Sequence, residues 1–205
     1  MPPAYLLAST WARRYSPNTV VGTHALYAYE MAAGVRIAPG ALATQDVDLL
    51  WDARKRVQFL TDIQRIDASM LRVLQRADPS FRRKELHDET AINDRGFEVD
   101  FLRRMTEGDN IHPFRFTADE DNLWPAQAMR ASVLTEAPRF EHPVISATGT
   151  MASMCTIAPA SFVEFKRWMA KEAVNRPEPK RRRDLRQADI VQSLLDEGLL
   201  AAGSR

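Results

Sequence analysis

Residues 44–50 read TQDVDLL, a stretch in which two carboxylates alternate with apolar side chains. Side chains two positions apart on a β-strand share a face, and the residue between them points to the other face. Asp46 and Asp48 are therefore expected to project together, while Val47 and Leu49 point into the core. With a rise of ~3.3 Å per residue, the two aspartate Cα atoms lie roughly 6–7 Å apart. This spacing suits carboxylates that bracket divalent cations.

A third carboxylate has the same setting in residues 97–102, which read FEVDFL. Asp100 is expected on a second strand, with Val99 and Phe101 turned inward. Three carboxylates that come close together raise one another's pKa unless a cation neutralises them. Oxygen ligands of this kind suit Mg²⁺ or Mn²⁺, and a two-ion site stabilises both oxygens of an in-line phosphoryl displacement. Glu98 shares the face of Asp100, where it either extends the metal shell or faces solvent.

Ahead of the acids, residues 20–23 read VVGT, an apolar run that ends in a glycine and a hydroxyl. A glycine turn lets phosphate approach backbone N–H groups, and the N-terminal end of the following helix favours anions. We therefore predict that Gly22 and Thr23 bind the outer phosphates of a nucleotide. His24 comes next and either contacts the nucleotide or serves in the core or as a helix cap.

The order of these parts is more informative than any one of them. Asp-x-Asp is short and occurs by chance in solvated turns, so alone it is weak evidence for a catalytic site. Here an apolar strand ends in Gly22 and Thr23, a helix follows, the next strand carries Asp46 and Asp48, and a later strand carries Asp100. This arrangement favours a site for metal-dependent phosphoryl chemistry.

The same parts resemble the nucleotidyltransferase-fold superfamily, whose signature is a Gly-Ser or Gly-Gly turn, an acid-x-acid strand and a third acid on a later strand. A closer resemblance is to a bacterial branch of stand-alone nucleotidyltransferase-like proteins, and it covers most of the chain. The segments that carry it are VGTHALYAYE at 21–30, TQDVDLLW at 44–51, APASF at 158–162 and RDLRQAD at 183–189. Thr23 stands where the superfamily usually has Ser or Gly, and its hydroxyl is retained.

The resemblance implies catalytic and metal-binding roles for Asp46, Asp48 and Asp100, with two Mg²⁺ or Mn²⁺ ions as cofactors. It implies an enzyme that moves a nucleoside monophosphate from an NTP, ATP among them, to a hydroxyl of an RNA, a protein or a small molecule, with release of pyrophosphate. The alternative is a nucleotide-binding or interaction module without turnover, for example in a toxin–antitoxin or defence pair. The presence of all three acids favours activity, since uncompensated carboxylates bring a binding module little benefit.

Basic residues near the C-terminus are the next candidates. Lys166 and Lys180 are predicted to bind the triphosphate or the acceptor, where positive charge offsets developing negative charge. The run of Arg181, Arg182 and Arg183 is either a solvated surface or an exposed patch that contacts RNA phosphates. Asp184 and Asp189 are expected to pair with these arginines rather than to bind metal.

Composition restricts the function classes. The chain has 205 residues, of which 45% are hydrophobic and 27% charged, and a net charge of +1 gives no general attraction to nucleic acid or membrane. We expect no readout of DNA sequence. The four histidines lack metal-ligand spacing, which argues against a zinc site. The lone Cys155, the absence of a signal-peptide pattern and of a long apolar stretch make cytoplasm the expected location, without a membrane partner.

The predicted fold is α+β: a nucleotidyltransferase-type small mixed sheet with helices packed on one face, plus C-terminal helices. We expect a catalytic core over residues 1–135 and a hairpin with a helical extension over 136–205 that packs on it; the alternative is one compact domain. Residues 106–121 show no clean period, and 176–179 resemble a proline-containing linker. Helices are predicted at 6–15, 24–33, 60–76, 161–175 and 184–200, and strands at 19–22, 46–51, 81–86, 90–93, around Asp100 and as a hairpin at 138–157.

Overall fold

The computed structural model describes most of the chain, and the predicted helix at 6–15 and irregular segment at 106–121 lie outside the described residues. Residues 60–68 of the predicted helix at 60–76 also lie outside them. In the part that is described, no helix combines the length and the apolar character needed to cross a bilayer. The described residues are 18–51, 69–105, 123–128, 130–146 and 149–201.

A mixed sheet forms the centre of the fold. Its strands are β1 (Asn18–Val21), β2 (Asp46–Trp51), β3 (Arg82–Lys84), β4 (His87–Ile92), β5 (Glu98–Arg104) and β6 (Ala126–Ala128). Their order is β1-β2-β5-β4-β3, and β6 also pairs with β5. Strand β2 runs parallel to β5 and antiparallel to β1. Strands β4 and β6 pair with successive parts of β5, at residues 98–100 and 102–104.

The register of the two parallel strands decides where the acids stand. Asp48 lies directly opposite Asp100, and β1 brings Val21 opposite Asp48 from the other side. The residues between the acids, Val47 and Val99, are buried as their alternation predicts. The glycine turn and the carboxylates are thereby gathered on one face of adjacent strands.

Helices flank this sheet, which confirms the predicted α+β fold. After a 3₁₀ turn (Gly22–His24), the helices are α1 (Ala25–Ala33), α2 (Pro39–Leu42), α3 (Met70–Ala77), α4 (Ala131–Glu136), α5 (Pro159–Lys171) and α6 (Glu178–Asp196). Gly34 closes α1 in the left-handed conformation with φ +65°, as predicted from its position after a helical segment. Prolines occupy the first turns of α5 and α6, where a missing N–H removes no helical hydrogen bond.

The predicted hairpin is present as β7 (Arg139–Ile145) and β8 (Met151–Ile157). It packs on α1 and β1, and the Tyr29 hydroxyl donates a 2.7 Å hydrogen bond to the Ile157 carbonyl oxygen. The Tyr29 ring meets Phe140 and Phe162 edge-on, so both halves of the chain contribute to a shared hydrophobic core. The division into a core at 1–135 and an extension at 136–205 stays a prediction.

The predicted start of the last helix is wrong. The sequence predicts that this helix starts at Asp184 after a linker at 176–179, but α6 begins at Glu178. Pro177 and Pro179 suggested a linker, whereas Pro177 is the N-cap residue and Pro179 lies in the first turn, which tolerates proline. Residues 180–183, which are all basic, therefore belong to the first turns of α6. Asp184 follows them inside the helix and has no exposed surface.

Gly22 provides a test of how tightly the turn packs against β2. Its φ is +69°, and a Cβ added there would lie 2.2 Å from Asp48 Oδ2. Gly34 has a similar φ of +65°, but a Cβ there meets nothing within 4 Å. Gly34→Ala is therefore the matched control for backbone strain alone.

We expect Gly34→Ala to lower the free energy of unfolding by roughly 1–2 kcal/mol through the left-handed backbone. Gly22→Ala should lower it by roughly 1–3 kcal/mol more, because Asp48 is forced to move. Urea unfolding of both variants measures the difference. Equal losses would show that Asp48 does not pack against Gly22.

Candidate active site

One cleft of about 420 Å³ collects most of the site residues predicted from the sequence. The sheet and its glycine turn form one side, and α5, α6 and the segment between them form the other. Of the eight predicted site residues, His24 alone is not in its lining. The predicted residues in the lining are Gly22, Thr23, Asp46, Asp48, Asp100, Lys166 and Lys180.

The surroundings of Asp48 oppose the ionisation of its carboxyl group. Loss of hydration on burial, followed by the charges of Asp46 and Asp100, raises the pKa of Asp48 to about 7. Lys166 and Lys180 act in the opposite direction but do not cancel the shift. Without a further cation, this carboxyl group is partly protonated near neutral pH.

Asp100 is held in place by a neighbouring strand. Its Oδ1 accepts a 2.6 Å hydrogen bond from Thr90 Oγ1, and Thr90 lies directly opposite it on β4. Burial raises the pKa of Asp100, and the Thr90 hydrogen bond offsets part of that shift. Glu98 lies opposite Asp46 in the strand register, but it forms a 2.6 Å ion pair with Lys84 and is not in the cleft lining.

The glycine turn is tied to the C-terminal helix. Gln187 on α6 is fully buried, and its Nε2 donates to Thr23 Oγ1 at 3.2 Å and to the Ala41 carbonyl oxygen at 2.7 Å. As an acceptor in this contact, the Thr23 hydroxyl keeps its own hydrogen for donation. Helix α6 therefore sets the position of a turn more than 160 residues earlier in the chain.

His24 lies in the core. Only 5% of its surface is exposed, and burial lowers the pKa of its imidazole to about 4, so the ring is neutral at physiological pH. The ring packs 5.6 Å from the Tyr27 ring centroid and 6.1 Å from that of Phe97. These contacts match the alternative in which His24 is a core residue. A role of His24 in nucleotide binding stays a prediction.

The wall opposite the acids is basic. Lys166 is 4% exposed, and its Nζ lies 2.9 Å from Asp184 Oδ1. Lys180 is exposed and lines the same wall. Two further cations there, Arg176 and Arg183, were missed as site residues. Arg183 was visible in the basic run, but Arg176 was assigned to a linker, and only the packing of α5 on α6 brings it to the cleft.

The three arginines of the basic run do not form one exposed patch. Arg181 donates to the carbonyl oxygens of Ala170, Ala173 and Arg176. Arg183 donates to the Ala43 carbonyl oxygen at 3.2 Å. Arg182 is exposed, which both alternatives for this residue require.

The two acids expected to pair with these arginines also differ from the prediction. Asp184 is buried and pairs with Lys166 and Arg176, which lie outside the run. Asp189 is exposed on α6, away from the cleft lining. The prediction that Asp184 pairs with basic residues is correct, but its partners among Arg181–Arg183 are wrong because the helix turns that carboxylate toward α5.

The donor set fits a hard divalent cation, although the ligands are not preassembled. Within the described residues, no group of three His, Cys, Asp or Glu side chains is arranged to hold a metal ion. Nevertheless, Asp46, Asp48 and Asp100 line one cleft, offer only oxygen ligands, and carry charges that oppose the ionisation of Asp48. A cation there would relieve that repulsion.

Comparison with known proteins agrees with this geometry. A family model described as nucleotidyltransferase matches residues 13–202, which is most of the chain. Neither the curated proteins nor the solved structures include a significant match. The matched region contains every residue of the cleft lining. The chain therefore belongs to a nucleotidyltransferase family.

Proposed function

We propose that this protein transfers a nucleoside monophosphate from an NTP to a hydroxyl group of an acceptor and releases pyrophosphate. Membership of a nucleotidyltransferase family supports nucleotidyl transfer in general. The observation that carries the finer proposal is the cleft itself, in which three carboxylates face a wall of basic side chains. Acids suit the reacting end of a metal-bound triphosphate, and cations suit its outer phosphates.

In the proposed reaction, the acceptor oxygen forms a bond to the α-phosphorus of the NTP. The bond from that phosphorus to the α–β bridging oxygen breaks, and its electron pair leaves with pyrophosphate. The hydroxyl proton passes to the Asp100 carboxylate, and burial raises the pKa of that carboxyl group, which favours proton acceptance. Thr90 orients that carboxylate through its 2.6 Å hydrogen bond.

The proposed metal ligands are Asp46, Asp48 and Asp100, with two Mg²⁺ or Mn²⁺ ions. When bound, such ions neutralise the acids and stabilise charge on the attacking and leaving oxygens. The protein's own part is to carry Asp46 and Asp48 on β2 and Asp100 on the adjacent parallel strand, so that all three line one cleft.

Gly22 and Thr23 are proposed to bind phosphate oxygens. Glycine at position 22 permits the positive φ and adds no side-chain bulk to the turn, and Thr23 retains a hydroxyl hydrogen for donation. Lys166 and Lys180 attract the outer phosphates from the opposite wall. The apolar side chain of Phe165 on that wall offers a surface against which a nucleobase packs.

The direct test is incubation of the purified protein with each α-labelled NTP, Mg²⁺ and a lysate of the source cells. We expect label on one class of acceptor, and that class identifies the substrate as RNA, protein or small molecule. NTP binding without label transfer under any condition would contradict turnover and favour the binding-module alternative.

Substitution of the acids should abolish transfer without unfolding the protein. We expect Asp46→Ala and Asp100→Ala each to lower the transfer rate by at least about 100-fold, because each removes charge from the reacting end of the triphosphate. Asp189→Ala is the control, since Asp189 is an exposed aspartate outside the cleft. Wild-type turnover in either cleft variant would rule out its proposed role.

Metal removal should make Asp48 destabilising at high pH. Its pKa is raised from an ordinary value of 3.8 to about 7 in the folded state, so the folded state holds the proton more tightly. The associated stability is therefore present at low pH and lost as pH rises through about 7. In EDTA, we expect Asp48→Asn to raise Tm by several degrees at pH 8, with a smaller gain at pH 5.

Thermal unfolding with added Mg²⁺ completes that test. Mg²⁺ should raise the Tm of the wild type, because binding to the folded state alone stabilises it, and should raise the Tm of Asp48→Asn less. A Tm difference between the proteins that is independent of both pH and Mg²⁺ would contradict the proposed metal site.

A further inference from the structure

Behind the basic wall of the cleft lies a buried carboxylate that does not itself face the cleft. The side chain of Asp184 has 0% exposure, and its two oxygens accept from different cations. Lys166 Nζ donates to Oδ1 at 2.9 Å, and Arg176 Nε donates to Oδ2. Both cations line the cleft, so a single hidden anion determines where two of its positive charges stand.

Asp184, Lys166 and Arg176 together carry more positive than negative charge. One carboxylate neutralises one of the two cations, which leaves a net positive charge beside the cleft. A buried ion pair is weak evidence for stability, because desolvation of the charges offsets most of their attraction. A buried anion with two cations on one side is better explained by a need for positive charge in the cleft.

Asp184 also opposes the loss of charge on Lys166. The Lys166 Nζ lies over the Phe162 ring, 5.6 Å from its centroid. Burial lowers the pKa of Lys166, while the charge and hydrogen bond of Asp184 counteract that shift, as does the charge of Asp48. Removal of the Asp184 charge would favour a neutral amine at this position.

Arg176 is fixed at its backbone as well as at its side chain. Its carbonyl oxygen accepts a 3.0 Å hydrogen bond from Arg181 Nε, and Arg181 also donates to the Ala173 carbonyl oxygen at 2.7 Å. The segment between α5 and α6 is thereby attached to the first turns of α6. Arg176 is held in a defined position, and its side chain is still 18% exposed.

We propose that Asp184 is a positioning residue that holds Lys166 and Arg176 as a binding site for the polyphosphate chain of the NTP. Arg176 contacts phosphate directly, through the guanidinium nitrogens that its Nε contact with Asp184 leaves available. The inference rests on the proposed function, because it assigns the basic wall to the phosphates of the donor rather than to the acceptor.

Inorganic tripolyphosphate is the probe, since it presents the phosphate chain without base, ribose or transfer. Its Kd is measured by titration calorimetry with Mg²⁺ at constant ionic strength. We expect Arg176→Ala to raise that Kd roughly 10- to 100-fold, as for loss of a hydrogen bond between charged groups. Arg182→Ala is the matched control, because it removes the same charge from an exposed position near the start of α6 and outside the cleft lining.

Asp184→Asn tests the positioning role. It leaves the buried Lys166 and the partly buried Arg176 without their anion, so a lower Tm is expected, and the Kd of this variant is measured well below that Tm. We expect at least a 10-fold higher Kd in the folded protein and a higher KM for NTP, with a smaller change in kcat. A purely structural role would lower Tm and leave Kd unchanged.

The outcomes separate this inference from the proposed function. Unchanged Kd in Arg176→Ala or in folded Asp184→Asn would overturn the inference, as would an equal loss in Arg182→Ala. Label transfer from NTP is measured on the same wild-type preparation. Transfer without tripolyphosphate binding would overturn the inference alone, whereas absence of both would overturn the proposed function with it.

Discussion

The parallel pairing of β2 with β5 is the constraint on which the site depends. Its register sets Asp48 opposite Asp100, and the antiparallel pairing of β1 brings the glycine turn to the same place. A slip of one residue would turn the acids into the core and the valines out, so burial of Val47 and Val99 fixes the register strongly. Hydrophobic burial on one face of the strands thus holds like charges together on the other.

That arrangement has an energetic consequence, which the C-terminal helices moderate. Burial raises the pKa of Asp48, the charges of Asp46 and Asp100 raise it further, and the cations of the opposite wall offset only part of the effect. Helix α6 supplies much of the opposite wall: it carries Lys180 and Arg183, orients Lys166 and Arg176 through Asp184, and holds Thr23 through Gln187. The sheet and α6 therefore build one site from opposite ends of the chain.

Sequence reasoning succeeded where a local pattern had one physical interpretation. Apolar alternation around Asp46, Asp48 and Asp100 required strands, and the glycine after an apolar run predicted the turn that the structure contains. Sequence reasoning failed where a local pattern fitted two structures equally well. Prolines near the start of α6 suggested a linker although they begin a helix, and the arginine run suggested one surface although Arg181 caps carbonyl groups of α5 and its connection to α6.

By itself, the sequence determined which side chains are charged, which face of each strand is buried, and the order in which a glycine turn and three carboxylates follow one another along the chain. Tertiary structure decided which charges meet. Asp184 was predicted to have basic partners, but no periodicity distinguishes Lys166 and Arg176 from the nearer arginines, because the choice depends on how α5 and α6 pack. Strand alternation is a local property of the backbone, whereas pairing across helices depends on contacts between residues that are distant in sequence.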